Sequence, residues 1–295
     1  MLQGFERVDF DRDGVRIAAW VAGRGPALVL LHGHPQTHVM WHRVAAELAR
    51  HHRVVAFDLR GYGDSGRPPA DPAHQAHSKR EMALDVLHGM RMLGDDRFQV
   101  LAHDRGARVA HRLAVDHPQA VERMMLLDIA PTLAMYERTT REFALAYWHW
   151  FFLVQPAPLP ERLIEADPAA YVHELMGRRH AGLEVFHPDA LAAYTQALSR
   201  PGSATSVCED YRASAGVDLE HDRQDIASGR RLHQPLRVLW GRQGAVGRCF
   251  DVLALWRERA SDVGGRALDC GHYIAEEAPQ ELVIEARTFF RSESP

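Results

Sequence analysis

The chain has 295 residues, 46% of them hydrophobic and 25% charged, a composition that argues against disorder and suits one large domain or a core carrying an insertion. Its 35 basic and 39 acidic residues leave a formal charge of −4, so no basic surface draws the chain to nucleic acid or to an acidic membrane face. No apolar run nears the roughly 18–20 residues that span a bilayer, and the N-terminus MLQGFERVDFDRDGVR lacks the apolar centre of a signal peptide, so the expectation is a soluble, cytosolic protein. Three scattered cysteines, Cys208, Cys249 and Cys270, offer neither a disulfide framework nor metal-ligand spacing.

In chain order, RVDF and VRIAAW read as an opening hairpin around Asp11–Gly14. ALVLL (Ala27–Leu31) is a short continuous apolar run, as expected of a strand buried on both faces. VVAFD (Val54–Asp58), FQVLA (Phe98–Ala102) and RMMLLD (Arg123–Asp128) repeat it, with helical candidates between them at about Trp41–Arg50, Ser78–Leu93 and Gly106–Asp116. This alternation implies a parallel sheet with helices on both faces. The rhythm stops near Pro131. Residues 132–230 hold aromatic and helical stretches broken by Pro156, Pro158, Pro160, Pro168, Pro188 and Pro201, and no buried-strand run. It resumes with LRVLW (Leu236–Trp240), RALDC (Arg266–Cys270) and an amphipathic helix at Pro279–Phe290. The expected organisation is a core of residues 1–131 and 231–295 interrupted by a helical cap, 132–230, with the terminal RSESP frayed.

Each strand of a parallel sheet delivers its following residues to one rim, where functional groups gather. The strand ends read His32-Gly33-His34-Pro35, Asp58-Leu59-Arg60-Gly61, His103-Asp104-Arg105-Gly106, Asp128-Ile129-Ala130-Pro131, Trp240-Gly241-Arg242 and Gly271-His272-Tyr273. They have the character of an α/β-hydrolase fold, in which a nucleophile sits on a sharp strand-to-helix turn among small residues. Ala102-His103-Asp104-Arg105-Gly106 occupies that turn, with Ala102 where glycine is usual. The turn presents no serine or cysteine; it presents Asp104. A carboxylate can displace a leaving group from sp³ carbon and form an ester of the enzyme. Water must then attack the ester, with His272 as base. The loop GRQGAVG after Trp240 holds no acid, which leaves Asp128 to orient His272. The chain order nucleophile, acid, histidine is that of the hydrolases. The amides of His34 and Arg105, by their places in the two turns, are the candidate oxyanion donors.

Taken singly, Asp104 reads as a helix cap, Asp128 as a turn former and His272 as a loop residue. Their joint arrival at three strand ends favours the catalytic reading. Arg105 and Arg108 share one helix face beside Asp104, where guanidinium forks and a helix N-terminus make an anion site. Helical arginines more often form surface salt bridges; a buried cation next to a nucleophile makes sense for an anionic substrate. His32-Gly33-His34 resembles the start of a metallo-hydrolase ligand run, yet Pro35-Gln36 supplies no third ligand and HExxH is absent, so neither metal nor other cofactor is expected.

The stretches HDRGARVAHRLAVDHP (103–118), LLDIAPTLAMYERT (126–139), YWHWFFLVQPAP (147–158), CEDYRASAGVD (208–218) and GHYIAEEAPQEL (271–282) make the chain resemble the fluoroacetate (haloacetate) dehalogenases of the α/β-hydrolase superfamily, over nearly its whole length. The resemblance implies Asp104 as nucleophile, His272 as base with Asp128 as its partner, and Arg105 and Arg108 on the substrate carboxylate. It implies that His149, Trp150 and Tyr211 from the cap donate hydrogen bonds to the departing halide, and that the protein is a homodimer. The reaction implied is conversion of fluoroacetate or chloroacetate to glycolate and halide through an aspartyl ester. Two positions depart from the family pattern: His34 stands where phenylalanine is usual, and Arg178 where a tryptophan follows Gly177, both expected near the substrate. The rival readings are an epoxide hydrolase using the same aspartate, which would want a pair of cap tyrosines, and a non-catalytic binder of small acids on the same scaffold.

Overall fold

The computed structural model describes residues 1–290; the RSESP expectation lies outside the described residues. Eight strands form one sheet: β1 (Glu6–Arg12), β2 (Val15–Ala22), β3 (Ala27–Leu31), β4 (Arg53–Phe57), β5 (Phe98–His103), β6 (Val121–Leu127), β7 (Leu236–Gly241) and β8 (Val263–Leu268). Their spatial order is β1-β2-β4-β3-β5-β6-β7-β8. β1 pairs with β2 and β2 with β4 antiparallel; every other neighbouring pair is parallel. β3 and β5 are buried at every residue, which is why their sequences are continuous apolar runs rather than alternating ones. This is the α/β-hydrolase fold.

Most expected elements appear within a residue or two, and three differ for physical reasons. The helix expected at Trp41–Arg50 is a 3-10 turn, His38–Arg43, followed by the short helix Ala45–Leu48. Asp58 accepts the His38 amide at 2.7 Å and its ring Nδ1 at 2.9 Å, pinning the start, and Val44 at φ −125° interrupts the two pieces. The helix expected from Gly106 begins at Asp104, inside the turn itself. The last strand sits three residues earlier than RALDC because it is the sheet edge: Leu268 is its one buried residue, so no apolar run marks it. Gly265 admits the close approach to β7, since a Cβ there would lie 1.9 Å from the Val238 carbonyl oxygen.

Between β6 and β7 the chain forms eight helices from Thr132 to Ala227 and contributes no strand. Prolines open several of these helices rather than break them: Pro168 and Pro188 stand at first helical positions, where the missing N–H costs nothing. The helix Ser203–Ala215 is buried along most of its length. The helix Asp104–Asp116, covered by the sheet on one side and by neighbouring helices on the other, is buried from Asp104 to Val115, its arginines included. Among the described residues no helix is long and apolar enough to cross a membrane.

The edge pairing yields a test. Gly265→Ala should lower unfolding free energy by about 1–3 kcal/mol through overpacking against β7, whereas Gly264→Ala, whose Cβ would meet only the Arg237 guanidinium at 3.6 Å, should stay within about 0.5 kcal/mol. Urea denaturation of both variants measures the difference; equal stabilities would contradict the contact at Gly265.

Candidate active site

The sharp turn after β5 holds Asp104 at φ +43°, a left-handed conformation that costs a non-glycine residue roughly 1–3 kcal/mol. Close packing enforces it: a Cβ on Gly106 would lie 2.5 Å from the His32 carbonyl oxygen, so the helix can start only against a bare glycine. The His34 amide donates to Asp104 Oδ1 at 3.1 Å. The Arg105 amide belongs to the first helical turn, whose N–H groups lack intrahelical acceptors. Burial works to raise the Asp104 carboxyl, but His272, His103, Arg105 and Arg108 together hold it well below the usual carboxylate range.

After β6, Asp128 is also left-handed, at φ +52°, and fully buried. Its Oδ1 accepts the Gly241 amide at 2.9 Å, and its Oδ2 accepts from His272 Nδ1 at 2.6 Å. With Nδ1 committed to a carboxylate, His272 presents Nε2 as its basic nitrogen. The loop carrying His272 is fixed from both sides. Glu277 accepts the amides of Gly271 and Tyr273 at 2.5 and 2.9 Å, and His103 Nε2 donates to the His272 carbonyl at 2.9 Å. His103 itself is buried, and burial, with His272 beside it, pulls its ring down to about 3.

Arg105 and Arg108 are both buried, but they are held differently. Arg105 is clamped by Asp210: Nε donates to Oδ2 at 2.9 Å and Nη2 to Oδ1 at 2.8 Å, with Ser214 Oγ at 2.5 Å. Lys79 and the Tyr62 hydroxyl bond the same carboxylate. Burial opposes the Arg105 charge, and Asp210 more than restores it, raising its pKa well above the ordinary value. Arg105 Nη1 keeps no protein partner. Arg108 has no carboxylate partner: Nη1 donates to Thr132 Oγ1 at 2.7 Å, its guanidinium lies 4.7 Å from the Trp150 ring, and Nε is unpartnered. Burial and Arg105 lower its pKa. Arg112, one turn on, is an ordinary ion-pair residue with Asp116 and Asp225.

Tyr211, His149 and Trp150 line the opposite side. Arg105 sits 4.0 Å from the Tyr211 ring, and the His149 and Tyr211 rings are 5.9 Å apart. The Tyr211 hydroxyl, Trp150 Nε1 and His149 Nδ1 are buried without a partner. Burial raises the Tyr211 hydroxyl well above its usual range, so it stays a donor. His34 joins this group: its ring lies 5.6 Å from Tyr211, Nε2 is 3.1 Å from the Tyr171 hydroxyl, and burial lowers the ring to about 3, keeping it neutral.

Arg178 lines a cavity that reaches His272, and its side chain is largely exposed and paired with Glu174 at 2.8 Å. It caps the helix Pro168–Gly177, and its side chain follows the helix surface outward. His32 and His34 do not converge: His32 accepts the Leu59 amide at 3.0 Å and contacts the Gly33 carbonyl. Asp210, His103 and Tyr171 belong to the site and were not singled out in the sequence. Asp210 in CEDYR, next to Tyr211, was the one with a signal, an acid embedded beside an expected pocket residue.

A family model described as alpha/beta hydrolase fold matches residues 26–279, and the chain belongs to that family. It is 41% identical over 290 residues to a fluoroacetate dehalogenase of Burkholderia sp., covering 98% of this chain and 95% of the relative. A soluble epoxide hydrolase of Corynebacterium sp. (strain C12) is 34% identical over 94% of each chain. A crystal structure from Nostoc sp. PCC 7120, described as an alpha/beta hydrolase, superposes with a TM-score of 0.93 at 52% identity, covering 98% of this chain and 99% of that one.

The clamp on Arg105 is directly testable. Asp210→Asn leaves a buried guanidinium without its counter-charge, and should destabilise the protein by about 3–5 kcal/mol in chemical denaturation. A change within about 0.5 kcal/mol would mean that Arg105 relaxes to solvent and that the clamp is not structural.

Proposed function

We propose that the protein hydrolyses the carbon–halogen bond of short 2-haloacids, fluoroacetate or chloroacetate, to glycolate and halide. The observation that carries this reading is the concentration of buried donors without acceptors around one buried carboxylate: Arg105 Nη1, Arg108 Nε, Trp150 Nε1 and the Tyr211 hydroxyl. Each unsatisfied buried donor costs about 1–3 kcal/mol. A cluster of them is rational when an anion arrives to accept. A haloacetate brings two acceptors, its carboxylate and the halide that forms.

In the proposed reaction the carboxylate of the substrate rests on Arg105 and Arg108. Asp104 attacks C2 in line with the halogen, forming the C–O bond as the C–X bond breaks, and the halide leaves with the bonding pair toward His149, Trp150 and Tyr211. His272 Nε2 then takes a proton from water while Asp128 steadies Nδ1, and the hydroxide attacks the carboxyl carbon of the ester. The oxyanion meets the His34 and Arg105 amides. As the adduct collapses, the bond to the glycolate oxygen breaks and His272 gives that oxygen its proton; the carboxylic acid left on Asp104 then loses its proton to solvent, restoring the carboxylate. Residues 132–230 act as a cap on the core of residues 1–131 and 231–295 and exclude water from the leaving halide. The proposal includes a homodimer, supported by the family resemblance, and a cytoplasmic location. No cofactor takes part.

The likeness to an epoxide hydrolase supports a second reading, ring opening with His149 and Tyr211 as proton donors. Two arginines beside Asp104 would serve no neutral epoxide, which favours the haloacid. Halide release from chloroacetate and fluoroacetate, measured against diol formation from styrene oxide, decides between them; diol formation without halide release would overturn the proposal. Tyr211→Phe removes one donor and keeps the ring. It should slow fluoroacetate more than chloroacetate, by roughly 5- to 150-fold, because fluoride is the more concentrated charge. Equal slowing of both would make the hydroxyl a positioning group.

A further inference from the structure

A cavity of about 150 Å³ opens beside His272, walled by Trp148, Arg178, Arg179, His180 and Arg248 among others, with no aspartate or glutamate among its lining residues. That space is several-fold the roughly 30 Å³ of one water and admits a –CH2–COO⁻ arm. Two of its arginines are answered from outside: Arg178 by the exposed Glu174 at 2.8 Å and Arg248 by the exposed Glu142 at 3.3 Å. Arg179 is not. It is half-buried, its guanidinium stacks 4.5 Å from the Tyr147 ring, and it has no acidic partner among the described residues. Arg179 and His272 line the same cavity, which places Arg179 on the His272 side of the site.

The Arg179 charge is favoured in the fold despite burial, with Asp104 and Asp128 acting from beyond ion-pair distance; among the described residues no acid pairs with it directly, so an arriving anion would be its one direct counter-ion. Arg105 and Arg108 already attend to the carboxylate on the carbon under attack, and they sit on the Asp104 helix, whereas Arg179 reaches in from the helical segment at the His272 side. From this arrangement we infer that the cavity is a second carboxylate subsite and that the substrate class extends to four-carbon 2-halodicarboxylates, the 2-halosuccinates. This rests on the haloacid reading of the site. The reaction is unchanged: Asp104 displaces halide from C2, water releases the ester, and the product is the 2-hydroxydicarboxylate. The distal carboxylate takes no part in bond making; it binds Arg179 with Arg248 nearby. Arg179 is thereby a specificity-determining residue.

The test compares succinate with butanoate, equal in chain length and differing in one carboxylate. Binding is read by tryptophan fluorescence, with Trp148 in the cavity wall, and so does not require turnover. Succinate should bind the wild type at least about ten-fold tighter than butanoate. That ratio should fall to near one in Arg179→Gln and drop several-fold in Arg248→Gln, whose residue is half-exposed and safe for folding. Chloride release should show the same preference for 2-chlorosuccinate over 2-chlorobutanoate. Equal wild-type binding of the two acids, or a ratio that survives both substitutions, overturns the inference. Failure to dehalogenate chloroacetate would instead strike the proposed function, and leaves the binding ratio readable by itself.

Discussion

Everything at this site turns on keeping one carboxylate ionised where water is scarce. Asp104 is buried at the head of a buried helix, and burial alone would protonate it. The basic groups around it, the charged Arg105 and Arg108 among them, reverse that. One of them, Arg105, is itself too costly to bury unaided, and so Asp210 is placed 105 residues along the chain to clamp it. Lys79 and Tyr62 then complete the partners of Asp210. The chain of compensation runs from the sheet, through the first helical turn, into the helix Ser203–Ala215. Core and helical segment are therefore joined by buried charge as well as by apolar packing.

That division of labour distinguishes the two arginines. Arg105 is spoken for and contributes position and field. Arg108, without an acid, holds its charge over the Trp150 face and keeps Nε unpartnered. Arg105 is thus held by a counter-ion and Arg108 by neutral acceptors, Thr132 Oγ1 at 2.7 Å and the Ala130 carbonyl at 3.3 Å. The strained turns at Asp104 and Asp128, both left-handed, fix the two carboxylates at the sheet rim before any substrate arrives.

The strands, and the positions of Asp104, Asp128 and His272 at their ends, were legible because each is a local signal. β3 and β5 are buried on both faces, and burial writes itself as an unbroken apolar run; strand ends then index Asp104, Asp128 and His272. β8 was shifted by three residues because an edge strand carries no such run. Asp210 and Arg179 were illegible for another reason. Their meaning lies in what faces them across the fold, and a single acid in CEDYR or the second arginine of GRRH looks like any solvated charge. Arg178 illustrates the limit: its place beside the site could be expected, but its outward direction follows from the end of the helix Pro168–Gly177, which only the structure supplies.

The central claim is that Asp104 becomes covalently bonded to substrate carbon. His272→Asn removes the base for the second step and leaves Asp104, the arginines and the pocket donors in place. Incubated with chloroacetate and digested, this variant should yield the peptide containing Asp104 carrying a carboxymethyl ester, accumulating in proportion to a single burst of chloride. An intact protein that releases chloride while its Asp104 peptide stays unmodified would contradict the account.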